Sequence, residues 1–200
     1  MASIELRGNS DLRKALRRFA PDLEKELKKE MRKALAPIAR AARGFVPVDA
    51  PLSGWADRSF MEGSFPTYAA STIKSNIGYT TSTGKRNAKG FTSMASIYNN
   101  SRAGAIYESA GRNGDNGQPW VGPTGPAGKR YSHSRNRNAG KQFIASMPPL
   151  TGSLKGRGRL IFRAWAENRG KAEGAVMKAI SNAENQLYAR SKQNSLRRVA

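Results

Sequence analysis

STIKSNIGYTTSTGKRNAKGFTSMASIYNNSRAGAIYESAG, residues 71–111, decides whether this chain is all-helical or mixed. On both sides of it apolar residues recur at helical spacing, whereas inside it they alternate. Ile73, Ser75, Ile77 and Tyr79 fall on one side with polar neighbours between them, the pattern of a half-buried strand. FTSMASIYNN reads as a second strand, and the connection STGKRNAKG is basic and contains glycine, as a hairpin turn would. GAIYESAG supplies a third short strand. The expectation is therefore an α+β fold, with N-terminal and C-terminal helices packed on a small antiparallel β-sheet.

Outward to the N-terminus, Ile4 and Leu6 alternate as in an edge strand, and Asn9 or Ser10 can cap a helix. Leu12, Leu16, Phe19, Leu23, Leu27, Met31, Leu35 and Ile38 then recur every three or four residues, placing one apolar stripe opposite Lys and Arg. Pro21, followed by Asp22 and Glu24, suits the first position of a fresh helix, because its missing N–H is no loss there and the acids favour the positive end. A short helix near 10–19 and a longer one near 21–43 follow, the second kinked at Pro37 and ended by Gly44. Residues 45–68, punctuated by Pro47, Pro51 and Pro66 and rich in aromatics, read as an extended connection pressed against something. Toward the C-terminus, Leu160, Ile161, Ala164, Trp165, Val176, Met177, Ile180, Ala183 and Leu187 resume the helical spacing. Gly170 and Gly174 predict a break near 169–171, since each costs roughly 1 kcal/mol relative to Ala.

Composition narrows the partners. The 200 residues carry 35 Lys and Arg against 14 Asp and Glu, a net charge of +21, and only 38% of residues are hydrophobic. Such a surface attracts nucleic acid or acidic protein. Between Ser71 and Trp165 there are 15 basic residues and two acids, Glu108 and Asp115, so the middle of the chain carries the charge. No apolar run approaches the roughly 18 residues of a membrane span, and MASIELRGNS lacks a signal-peptide core, so no membrane partner and a cytosol-like compartment are expected. Without cysteine there is no disulfide framework and no thiolate chemistry.

Catalytic and metal chemistry find little to work with. The one histidine, His133, sits in the polar run SHSRNR, and the two central carboxylates stand seven apart in a glycine-rich loop. General acid–base work needs paired, tuned groups, so no enzyme activity, cofactor or metal is expected. The glycines of GRNGDNG lack the following helix or the Lys-Ser ending of a phosphate-binding motif. Lys85, Arg86, Lys89, Arg102, Lys129, Arg130, Arg135 and Arg137 remain as contacts for DNA or an acidic partner, with Tyr131 among them to stack. No recognised nucleic-acid reading module accompanies them. A sequence-nonspecific nucleic-acid-binding protein, ribosomal or nucleoid-like, is one reading of this pattern.

The order of elements offers another. A small strand, a helical arm ending in ARGFVPVDAPLSG, a short sheet, IYNNSRAGAIYESAG, a loop and a closing helix resemble the minor tail proteins of long-tailed bacteriophages, in the tail-completion or head-to-tail joining family. Ala42, Arg43 and Pro47 match that family's first landmark, with Ser53-Gly54-Trp55 standing where Thr-Gly-Leu is usual. Tyr107, Glu108 and Gly111 match the second, with two extra residues between Glu and Gly. The resemblance implies one domain over 1–200 and a structural virion protein made in the host cytoplasm. It also implies a homo-oligomeric ring of about six copies at the head-tail junction, between head connector and tail-tube or tail-terminator proteins, with double-stranded DNA passing through. On that reading the basic loop 111–157 is an assembly arm, mobile until a neighbour covers it. Trp120 is its anchor and Tyr131 a further contact. Glu108 either pairs with a nearby arginine at the loop's start or is a solvated strand-end carboxylate.

Overall fold

A computed structural model describes residues 2–8, 10–52, 54–57, 65–82, 84, 92–126, 131–152 and 156–197. The fold is α+β, built in the order β1 (Ala2–Gly8), α1 (Ser10–Phe19), α2 (Pro21–Gly44), α3 (Ala70–Ser75), β2 (Ile77–Thr80), β3 (Thr92–Asn99), α4 (Arg102–Ser109), α5 (Ala139–Ala145) and α6 (Ile161–Arg197). The small antiparallel sheet has strand order β1-β3-β2. The sequence reads 1–200 as one domain; the structure divides it into two compact units, each assembled from separated segments.

One unit comprises residues 3–40, 78–98 and 167–200, with the sheet, α1, most of α2 and most of α6. Its core contains the expected stripe: Leu16, Leu23, Leu27, Met31, Leu35 and Ile38 are all buried, as are Met94, Ala95 and Ile97 of β3 and Ala172, Val176, Ala179 and Ala183 of α6. Leu23 and Leu27 share one crevice with Ala179 and Ala183, so the alanines let α6 approach α2 closely. Phe19 departs from the stripe. It is 70% exposed, with the Arg18 guanidinium 5.2 Å from its ring centroid. α1 ends at this residue and Pro21 starts a new helix, so the periodicity that placed Phe19 inward loses its phase there.

A buried ion cluster ties α1 to α2 in this unit. Arg13, 2% exposed, donates Nη1 to the Met94 carbonyl (3.1 Å) and Nη2 to Glu24 Oε1 (3.2 Å). Lys28 Nζ lies 2.8 Å from the same carboxylate oxygen, and Arg17 3.7 Å. Burial pushes the Glu24 carboxyl up, but the hydrogen bonds from Lys28 and Arg13 outweigh it and hold the group below its ordinary range.

The other unit holds residues 41–77 and 99–166. The described residues of 45–68 form neither helix nor strand; Trp55 and Tyr68 among them are buried, while Phe65 is exposed. Trp55 is fully buried, with ring centroids 5.0 Å from Phe143, 5.1 Å from Tyr68 and 6.1 Å from Phe65, an edge-and-tilt arrangement that aromatic quadrupoles favour. Polar handles are satisfied as well, Trp55 Nε1 donating to the Pro66 carbonyl (2.9 Å) and Tyr68 OH to the Pro47 carbonyl (2.7 Å).

Three expectations about elements are corrected. Residues 70–75 are helix α3, not the first half of a strand, and only Ile77–Thr80 is extended. Asn76 is the reason: its backbone N–H and Nδ2 both bond the Thr72 carbonyl (3.2 and 2.9 Å), closing a helical turn before β2 begins. GAIYESAG is helix α4, because the Ser101 hydroxyl caps it by accepting from Gly104 N–H (3.0 Å), and the buried set Ala103, Gly104, Tyr107, Glu108 has helical spacing. Lastly, α6 runs unbroken through Gly170 and Gly174. Ala172 and Val176, buried between and beyond them, and the Arg169–Glu173 pair (2.8 Å) hold the helix where propensity alone would let it fray.

Candidate functional site

The second sequence landmark, Tyr107-Glu108…Gly111, is the base of the basic loop. Asn99 at the end of β3 accepts from Ser101 N–H (3.0 Å), Ser101 caps α4, and α4 then delivers Tyr107 and Glu108 into the interior of their unit, 2% and 0% exposed. Among the described residues no arginine lies within ion-pair distance of Glu108, and it is 0% exposed, so both expectations for it are corrected. Its Oε2 accepts from Leu160 N–H (2.7 Å) and Ile161 N–H (3.2 Å), and its Oε1 from Phe162 N–H (2.9 Å). The first N–H groups of a helix have no partner within it, and a carboxylate from α4 fills that need for α6. Burial pushes the Glu108 carboxyl above its ordinary value, against the pull of these three N–H donors and of Arg112. Gly158 makes the approach feasible, since a Cβ there would collide with Glu108 Oε1.

Around this carboxylate lie three arginines that sequence reasoning passed over. Arg159, 4% exposed, donates Nη1 to the carbonyls of Tyr107 (2.9 Å) and Ala110 (2.8 Å), and burial pulls its own pKa down. Arg112 and Arg157 each donate Nη2 to the other's main-chain carbonyl, at 2.5 and 3.0 Å. The only signal they left in the sequence is their glycine flanks, Gly111-Arg112 and Gly156-Arg157-Gly158-Arg159, which permit close backbone approach. Gly111 itself has φ +81°, a left-handed turn out of α4.

Beyond this base the described residues of the loop are organised rather than structureless. Trp120 and Ser132 form a parallel bridge, with Val121 N–H donating to the Ser132 carbonyl (3.1 Å) and Ser132 N–H to that of Pro119 (2.7 Å). Asn136 fixes the return by bonding Gln142 of α5 (2.8 Å), and α5 inserts Phe143 against Trp55.

On this scaffold Trp120 is 39% exposed, its Nε1 donating to the Ser134 carbonyl (2.7 Å), and Arg137 lies 5.8 Å from its ring centroid. Tyr131 is 43% exposed, and Arg135 and Arg137 are exposed. The structure thus brings Trp120 and Arg137 together beside Tyr131 and Arg135, while Arg102 opens α4 and is exposed there. Lys85, Arg86, Lys89, Lys129 and Arg130 lie outside the described residues. His133 is exposed, and among the described residues no group of three or more His, Cys, Asp or Glu is placed to hold a metal ion. No helix among them is long and apolar enough to cross a membrane. What the surface offers is an open aromatic face, fixed guanidinium donors and almost no negative charge. Compared with protein-family models, curated proteins and solved structures, the chain matches none.

Proposed function

We propose that this protein is a non-enzymatic structural component of a tailed-phage virion, which assembles as a ring at the head-tail junction, completes the tail and joins it to the head connector around the DNA channel. The observation that carries this reading is the role of the residues behind the family resemblance. Ala42 is fully buried, Arg43 donates Nε and Nη2 to the Ile77 carbonyl (3.0 and 2.7 Å), and the Pro47 carbonyl receives Tyr68 OH. Tyr107, Glu108 and Gly111 build the base of the basic loop. The residues behind the resemblance tie one unit together, which supports the reading without depending on any one loop. The loop they support presents Trp120, Tyr131, Arg135 and Arg137 outward, a composition suited to an acidic neighbouring subunit or to the rim of a DNA channel.

A second reading, generic nucleic-acid binding, is favoured by the same Trp120–Arg137 pair, since an exposed ring beside guanidinium groups also suits a stacked base. Sedimentation velocity on nuclease-treated protein at near-physiological salt, with and without a short DNA duplex, separates the two. Ring assembly indifferent to the duplex is the expected result. A monomer that binds the duplex tightly and releases it steeply as salt rises would transfer the function to the second reading.

A further inference from the structure

The arginine cluster at the base of the loop contains more positive charge than its own carboxylate balances. Arg112 and Arg159 lie near Glu108 and Arg157 is tied to Arg112, while that carboxylate's oxygens already accept from Leu160, Ile161 and Phe162. All three guanidiniums find main-chain carbonyls instead of acids. Carbonyls satisfy hydrogen bonds but neutralise nothing, so two positive charges stand in excess next to the positive end of α6.

The hydrogen bonding is incomplete in the same place. Nε of Arg112 and Nε of Arg157 are buried without a partner. Nη1 of each has no hydrogen-bond partner among the described residues and, unlike Nε, is not shut off from solvent. The reciprocal bonds hold both heads across one backbone crossing, and the Phe162 ring lies under Arg112 at 4.9 Å, fixing the guanidinium plane. Two guanidiniums held in place, each with only Nη1 left to donate outward, and an uncompensated double charge match a phosphate-class oxyanion. A lone carboxylate would balance only half of it.

We infer that Arg112 and Arg157 form a binding site for a phosphate-class oxyanion, seated on their Nη1 groups. The site is distinct from the Trp120 surface, and it rests on one unit's geometry, so it stands or falls independently of ring assembly.

The test is isothermal titration of the full chain with inorganic phosphate against a chloride background of matched ionic strength. One phosphate should bind per chain. Arg112→Gln and Arg157→Gln should each weaken it by at least about tenfold, the loss expected for one charged hydrogen bond. Arg135→Gln combined with Arg137→Gln, which removes two exposed charges, should weaken it by less than about threefold, because exposed charges are screened. Should a Gln variant fail to fold by circular dichroism, Arg112→Lys and Arg157→Lys keep the charge, lose the planar head that bonds a carbonyl and an anion at once, and are expected to weaken binding as well. Absence of phosphate binding by the wild-type chain overturns the site, as does an equal loss in the Arg135/Arg137 variant. A short DNA duplex added as competitor identifies the source. Displacement of phosphate assigns the site to nucleic-acid backbone, and persistence assigns it to a free phosphate group.

Discussion

Glu108 condenses what a single residue can decide. Replacing it with Ala leaves three N–H groups at the start of α6 without acceptors and opens a void beneath α4, so Glu108→Ala should lower stability by about 3 kcal/mol or more. Gln keeps one acceptor oxygen and should fall between Ala and wild type. Chemical denaturation of the three proteins checks the order, and an Ala variant as stable as wild type would remove Glu108 from its capping role. None of this was legible in the sequence, where one acid among many bases invited an ion pair; its partners are main-chain groups more than fifty positions away. Glu24 makes a partly opposite case, because Lys28 sits four positions on along the same helix and could be read locally, whereas Arg13 and Arg17 come from α1. Its carboxyl is held below the ordinary value, so its contribution is present above the unfolded value of about 4.5 and is lost as pH falls through the lower folded value. The melting midpoint should therefore decline below about pH 4.5, and Glu24→Gln should be less stable at neutral pH but flatter in that acid window. An unchanged acid slope in the variant would show that other carboxylates govern it.

Among elements, those written in long periodic runs were legible: α1 and α2 begin where Ser10 and Pro21 indicate, and β3 where alternation does. Short elements were misread because period two and period 3.6 cannot be told apart over six to eight residues. In α3 and α4 the decision was made by one side chain each, Asn76 closing a turn and Ser101 capping one. α6 was misread for a different reason: glycine propensity is a local cost, and burial of Ala172 and Val176 against their unit's core outweighs it. The cost remains available for removal. A Cβ at Gly170 or Gly174 meets nothing within 4 Å, so Gly170→Ala and Gly174→Ala should each stabilise the protein by about 0.5–1 kcal/mol. Thermal melts of the two single variants and the double variant test this, and a lowered midpoint would reveal a need for glycine, such as a partner's close approach to that helix.

For the whole molecule, charge and assembly are the same question. A chain of net charge +21 repels its own copies, so a homo-oligomer must bury enough specific contact to overcome that repulsion. Trp120 is the largest exposed side chain on the basic loop. Among the described residues its side chain bonds Ser134, stands beside Arg137 and lies over Gly122 while remaining 39% exposed, so Trp120→Ala should cost the monomer only about 1 kcal/mol. At an interface the same truncation commonly costs 2 kcal/mol or more, roughly a thirtyfold loss in association. If the proposed ring forms, the expected outcome is a variant with a near-native melting midpoint that sediments as monomer at concentrations where the wild-type chain assembles, with raised salt strengthening that assembly by screening like charge. A variant that assembles as wild type does would remove Trp120 from the interface, and one that unfolds would make it a core residue of the loop. The salt arm discriminates further, because wild-type assembly that weakens as salt rises would mean that acidic partner surface, rather than this chain's own copies, meets the arginines.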